Sequence, residues 1–136
     1  MNNLIKLNSD NEIDFYSWIN QARELVKSTL VCFQLKKNII GTEMFSRRFS
    51  ADYLPEANNL DNISYKEIFT GKRAKDLISV YTNLIEIWKE IQEMNLPFTF
   101  NENQNYSSII NQFKKLDKQL DLLVEKYNDK QIFRHS

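Results

Sequence analysis

The chain has 136 residues with 42% hydrophobic and 26% charged residues, enough for one domain with its own core and too apolar for a disordered chain. Its formal charge is zero, 18 basic against 18 acidic residues, so no global field draws it to nucleic acid or to an anionic membrane. Two glycines and two prolines are too few for the many tight turns of a sheet protein; the expected class is all-α, an irregular four-helix-bundle-like domain with three long helices and one or two short ones.

In chain order, residues 1–9 read as a short N-terminal arm in which Leu4, Ile5 and Leu7 have something to dock. The start, MNNLIKLNSDNE, lacks the basic-then-apolar pattern of a signal peptide, and no apolar run is long enough to span a bilayer. With Cys32 the only cysteine, no intrachain disulfide forms, so the expected setting is reducing and cytoplasmic. A first helix is predicted from Ser9 or Asp10 to about Lys37, with Ser9 and Glu12 spaced as a capping box. Phe15, Ile19, Ala22, Val26, Thr29 and Phe33 alternate four and three apart along it, and Trp18, Leu25, Leu30 and Cys32 widen the stripe. Gly41 is expected to break the chain.

A shorter helix is predicted over 42–53, ended by Pro55, with Phe45, Phe49 and Tyr53 on one face and Arg47 pointing away from it. Residues 56–62 read as a loop. Ser64 and Glu67 give another capping box, with Ile63 and Ile68 as its hydrophobic staple. Gly71 then breaks or bends the chain, and a central helix runs to about Met94 on Leu77, Tyr81, Leu84, Trp88 and Ile91. Residues 95–106 form a long connection in which Leu96, Phe98 and Phe100 alternate with Pro97 and Thr99. The two phenylalanines cover the core or present a contact element. The last helix starts near 105–108, and Ile109, Phe113, Leu116, Leu120, Leu123 and Tyr127 keep strict 4-3-4-3-4 spacing, a seam for packing along another helix or a second copy.

Catalytic chemistry is poorly supplied. The only histidine, His135, is the penultimate residue, so a Ser-His or Cys-His system would have to be built on the tail, and neither His- nor Cys-based zinc sites have ligands. Arg134 and His135 are adjacent rather than a helical turn apart, which removes the Arg/His arrangement of helical ribonucleases. Two glycines cannot build a phosphate-cradling loop. The carboxylates of Glu86, Glu90 and Glu93, and of Asp117, Asp121 and Glu125, have spacings that suit a hard cation. Interleaved lysines (Lys89, Lys114, Lys118) make solvated helix faces the simpler reading. Cofactors: none expected; metal: none expected; no enzymatic activity is expected.

Charge is nonetheless polarised. Residues 34–75 carry 8 basic and 5 acidic residues, net +3; residues 76–104 carry 1 basic and 5 acidic, net −4. The expectation is therefore a small non-enzymatic intracellular protein that binds another protein, as inhibitor, immunity-type protein, adaptor or assembly subunit. Its anchors are Arg47, Arg48, Arg73, Phe98 and Phe100. The alternative is a helical nucleic-acid-binding module, with Lys36, Lys37, Arg47, Arg48, Lys72, Arg73 and Lys75 on the phosphate backbone and Phe45, Phe49 or Tyr53 as stacking platforms. It requires the two basic clusters to meet at one end of the bundle.

Overall fold

The structure, a computed structural model, describes residues 7–53, 68–94 and 106–128. Four helices stand among these residues: α1 (Glu12–Gln34), α2 (Asn38–Asp52), α3 (Ala74–Glu93) and α4 (Ser107–Asn128). Two short strands, β1 (Leu7–Asn8) and β2 (Phe69–Thr70), pair in parallel with Leu7 opposite Phe69 and Asn8 opposite Thr70. The class is the all-α bundle that glycine scarcity and long stripes predict. The two-residue ladder is the addition, and it comes from the arm: Leu7 does dock, and Leu7 and Phe69 are both buried.

Side-chain contacts give the helix order. Tyr81, Trp88 and Gln92 on α3 meet Tyr53, Ser50 and Ser46 on α2, so these helices run antiparallel. Asn83 bonds to Gln119 and Glu90 to Gln112, which sets α4 antiparallel to α3. Phe15–Tyr127 and Phe33–Phe113 pack α4 against α1 in the same antiparallel sense. The result is an up-down-up-down bundle with α1 and α3 pointing one way.

The predicted stripes are the buried ones. All six seam residues of α4, Ile109 to Tyr127, are buried, as are Leu77, Tyr81, Leu84 and Ile91 of α3; Trp88 and Trp18 are half-buried at the margin. Phe113 meets Phe45 edge-on at 4.8 Å and Phe33 at 5.6 Å, an aromatic knot tying three helices at the end where α1 finishes. Aromatic pairs of this geometry add about 0.5–1.5 kcal/mol each beyond the area they bury.

Three boundary expectations are corrected. First, α1 is capped by Asn11, whose side chain accepts from the Asp14 amide at 3.1 Å. Ser9 is fully buried, and its Oγ accepts from the Arg73 amide at 2.9 Å. Second, Gly41 lies inside α2 and is buried. A Cβ there would sit 2.9 Å from Cys32 Cβ and 3.3 Å from Phe33, so glycine is what lets α1 and α2 approach so closely. Third, the break falls five residues earlier. Lys36 takes a left-handed φ of 59°, the Lys36 amide donates to Phe33 O and the Lys37 amide to Cys32 O, the paired bonds of a Schellman ending.

Gly71 does break the chain, with φ +96°. The first turn of α3 has no cap from a neighbouring side chain. Asp10 Oδ1 instead accepts from the Lys72 amide at 2.9 Å and Ser9 Oγ from the Arg73 amide, so the N-terminal segment caps a helix more than sixty residues away. The expected capping box at Ser64 and Glu67, the 56–62 loop, Phe98, Phe100 and His135 lie outside the described residues.

Candidate functional site

The seven cations of the phosphate-binding alternative fall into two groups. Lys36 and Lys37 sit where α1 turns into α2, with Arg47 and Arg48 further down α2. Lys72, Arg73 and Lys75 lie at the start of α3, beside the start of α1: Arg73 stacks over the Phe15 ring at 5.2 Å and donates to Ser9 O at 2.6 Å. An α1 of 23 residues is about 34 Å long, so Lys36 and Lys72 are at opposite ends of the bundle and the clusters do not merge. The proposed stacking platforms are also taken. Phe45 and Phe49 have no exposed surface, and Tyr53 is stacked on Phe49 at 5.4 Å.

Among the protein-binding anchors, Arg73 is engaged inside the fold. Half-buried, it lies over the Phe15 and Tyr127 rings, which touch each other edge-on, and its amide and guanidinium both bond to Ser9. Beside it Tyr127 donates to Asp76, which also pairs with Lys126 at 3.3 Å. Burial pushes the Tyr16 hydroxyl up to about 12 and raises Tyr127, with the bond to Asp76 adding to the latter. These groups close the base of the bundle.

Arg47 and Arg48 are differently placed. Arg47 pairs with Glu43 one turn back at 3.1 Å, and its side chain is 75% exposed; Arg48 reaches across to Glu24 of α1 at 3.4 Å. Exposed pairs of this kind contribute about 0–1 kcal/mol and leave the guanidinium available to a better partner.

What stands above these arginines was missed in the sequence. Val31, Leu35 and Ile40 are 51%, 61% and 58% exposed, and the helix geometry sets them on one face. The close approach of Gly41 to Cys32 marks the contact line between α1 and α2. Each residue turns about 100° around a helix, so Phe33 and Thr42, one step after that line, face the core, and both are buried. Val31 and Ile40, one step before it, face outward. Leu35, three steps after Cys32, returns to within about 60° of the line on the outward side. On antiparallel helices these "before" sides coincide. Half-buried Met44 and then Arg47 continue the same outer face down α2, and Glu24 continues it down α1. Lys36 and Lys37 close it at the top. From residue 31 to residue 42 the chain has no acidic residue. The face is an aliphatic centre with four cations around it, two of them paired to Glu24 and Glu43.

Two other places need accounting for. A groove of about 220 Å³ between α3 and α4 is lined by Asn83, Glu86, Gln112, Lys115 and Gln119. Its amides are used in holding the helices: Asn83 donates to Gln119 Oε1 at 2.8 Å, Gln119 to Ser79 at 2.9 Å and Gln112 to Glu90 at 2.6 Å. Asp117 and Asp121 do not form the solvated row expected of them. They receive Lys27 at 2.7 Å and Arg23 at 2.9 Å from α1, and the hydrogen bond to Asp117 raises the Lys27 ammonium. Among the described residues no group of three His, Cys, Asp or Glu side chains is placed to hold a metal ion, and no helix is long and apolar enough to cross a membrane.

Comparison with family models, with curated proteins and with solved structures found no match for the chain.

Proposed function

We propose that this is a non-enzymatic protein that works by binding another protein, and that the outer face of the α1–α2 hairpin does the binding. The observation that carries the reading is the exposure of Val31, Leu35 and Ile40 together on one face, beside Arg47 and Arg48. A soluble bundle gains nothing from leaving three large aliphatics in water side by side; burying the half of each that is exposed contributes about 1–2 kcal/mol on association. Arginine beside an apolar centre is the composition that interface anchors favour. The mechanism is occlusion or scaffolding, suited to an inhibitor, immunity-type protein, adaptor or assembly subunit. A single cysteine and a neutral, disulfide-free chain fit an intracellular setting.

The test is affinity capture from the native host with the wild-type protein and with Leu35→Asp, followed by reconstitution of the captured protein in purified form. Leu35 is on the surface, so the variant keeps its helical circular dichroism. The reading expects the purified pair to bind and Leu35→Asp to weaken it at least tenfold, about 1.4 kcal/mol. Equal affinity for wild type and variant would remove the face from the account. The nucleic-acid alternative needs its seven cations together, and Lys72, Arg73 and Lys75 lie at the base of the bundle, apart from Lys36 and Lys37 at the top and from Arg47 and Arg48 beside the middle of α1.

A further inference from the structure

We infer that the partner element that fits the α1–α2 face is an acidic amphipathic helix, lying along the hairpin with its aliphatic side on Val31, Leu35, Ile40 and Met44. The inference rests on the docking reading above and adds the chemistry of the occupant. Shape argues for a helix. Two antiparallel helices held close at Gly41 leave a shallow channel along their contact line, with Leu35 and Met44, about 60° from that line, on its banks and Val31 and Ile40, about 100° from it, on the crests above. A third helix with apolar residues four and three apart sets its ridge in such a channel. The face is long enough for one: Lys37 to Arg48 are eleven steps apart, roughly 16 Å, or three turns.

Charge argues for acidity. Lys36 and Lys37 close the upper end, and Arg47 and Arg48 the lower, against Glu24 and Glu43. The weak pairs to those glutamates leave a net surplus of two cations around the apolar centre, and both arginines have the bidentate geometry that receives carboxylates. A second copy of this chain does not answer that description. Two identical faces meeting about a two-fold axis would oppose a surplus of two cations to a surplus of two cations. An anionic bilayer shares the charge preference but not the shape. The exposed apolar centre also has no Trp or Tyr to sit at a headgroup boundary.

The probe is a synthetic helix-favouring peptide of about sixteen residues, with Leu at 4-3 spacing and Glu on the other faces, beside a counterpart with every Glu replaced by Lys. Fluorescence anisotropy at about 50 mM salt measures binding to the full chain, and amide shifts of the isotopically labelled protein locate it. The glutamate peptide is expected to bind at least tenfold tighter than the lysine peptide. It should shift residues 31–48, lose at least tenfold on Leu35→Asp, and lose at least threefold on the double replacement Arg47→Ser, Arg48→Ser. Binding of neither peptide, or preference for the lysine peptide, overturns the acidic helix. The docking face would still stand or fall separately, on the reconstituted native pair. Vesicles of phosphatidylcholine with and without phosphatidylserine form the third arm. Leu35-dependent binding to the phosphatidylserine vesicles without peptide binding would assign the face to a membrane instead and overturn the inference.

Discussion

At Gly71 a single hydrogen atom decides how the N-terminal segment meets the start of α3. Its φ of +96° is one that L side chains rarely take, and a Cβ there would stand 2.5 Å from Ser9 Oγ and 2.8 Å from both Asn8 Oδ1 and the Asp10 amide. Ser9 Oγ caps the start of α3, and the Asp10 amide bonded to Asn8 Oδ1 holds the turn that aims Asp10 at the Lys72 amide. Gly71→Ala therefore strains the backbone and dislodges the cap together, and is expected to cost about 2–4 kcal/mol in urea unfolding. Gly41→Ala has a normal backbone but overpacks Cys32, and is expected to cost about 1–3 kcal/mol. Titration is the other residue-scale test. Burial raises the hydroxyls of Tyr16, Tyr53, Tyr106 and Tyr127 above 10.0, Tyr16 to about 12. A raised tyrosine favours its neutral form in the folded state. Its contribution is complete below pH 10 and is lost as pH climbs toward the folded value. The ammoniums of Lys27 and Lys126, raised by their hydrogen bonds to Asp117 and Asp76, act in the same direction. Urea midpoints should be flat with respect to these groups from neutrality to about pH 9.5 and fall steeply between about 10 and 12.

At the scale of elements, the α1–α2 turn shows what periodicity reveals and what it conceals. The stripe from Phe15 to Phe33 was plain because burial repeats every three or four residues. Val31 and Leu35 fall outside that stripe, and nothing in a pattern of buried positions marks an exposed aliphatic as a surface. Gly41 misled for a physical reason: glycine ends helices often, but it also occupies the point where two helices touch, and only the distance to Cys32 separates the two uses. The true ending is carried by Lys36, a residue with no special preference for left-handed backbone. Lys36→Gly relieves that conformation and is expected to raise stability by about 0.5–1 kcal/mol, measured as a shift of the urea midpoint with no change in its slope. Ser9 misled in the same way. Its spacing to Glu12 fits a capping box, yet its hydroxyl serves the start of α3, a contact between segments that no local pattern encodes.

At the scale of the whole molecule, the up-down-up-down order places the basic clusters at different ends and leaves one hairpin face both apolar and cationic. Helix number and core were legible because they depend on local pattern. The site was legible only in part: Arg47 and Arg48 stood out as charges on a short helix, whereas their aliphatic neighbours became a surface only once α1 and α2 were set side by side. Arg73 looked equivalent to them in sequence and is instead held over the Phe15 and Tyr127 rings and bonded to Ser9. The most direct measurement is site-specific photo-crosslinking in the native host. A photoreactive amino acid replaces Leu35 on the proposed face and, in separate proteins, Leu122 on α4 and Ile13 at the far end of α1, all three exposed. The account predicts one discrete crosslinked protein from position 35 and none of that species from 122 or 13. Crosslinking to the same protein from 122 or 13, with position 35 silent, would contradict it.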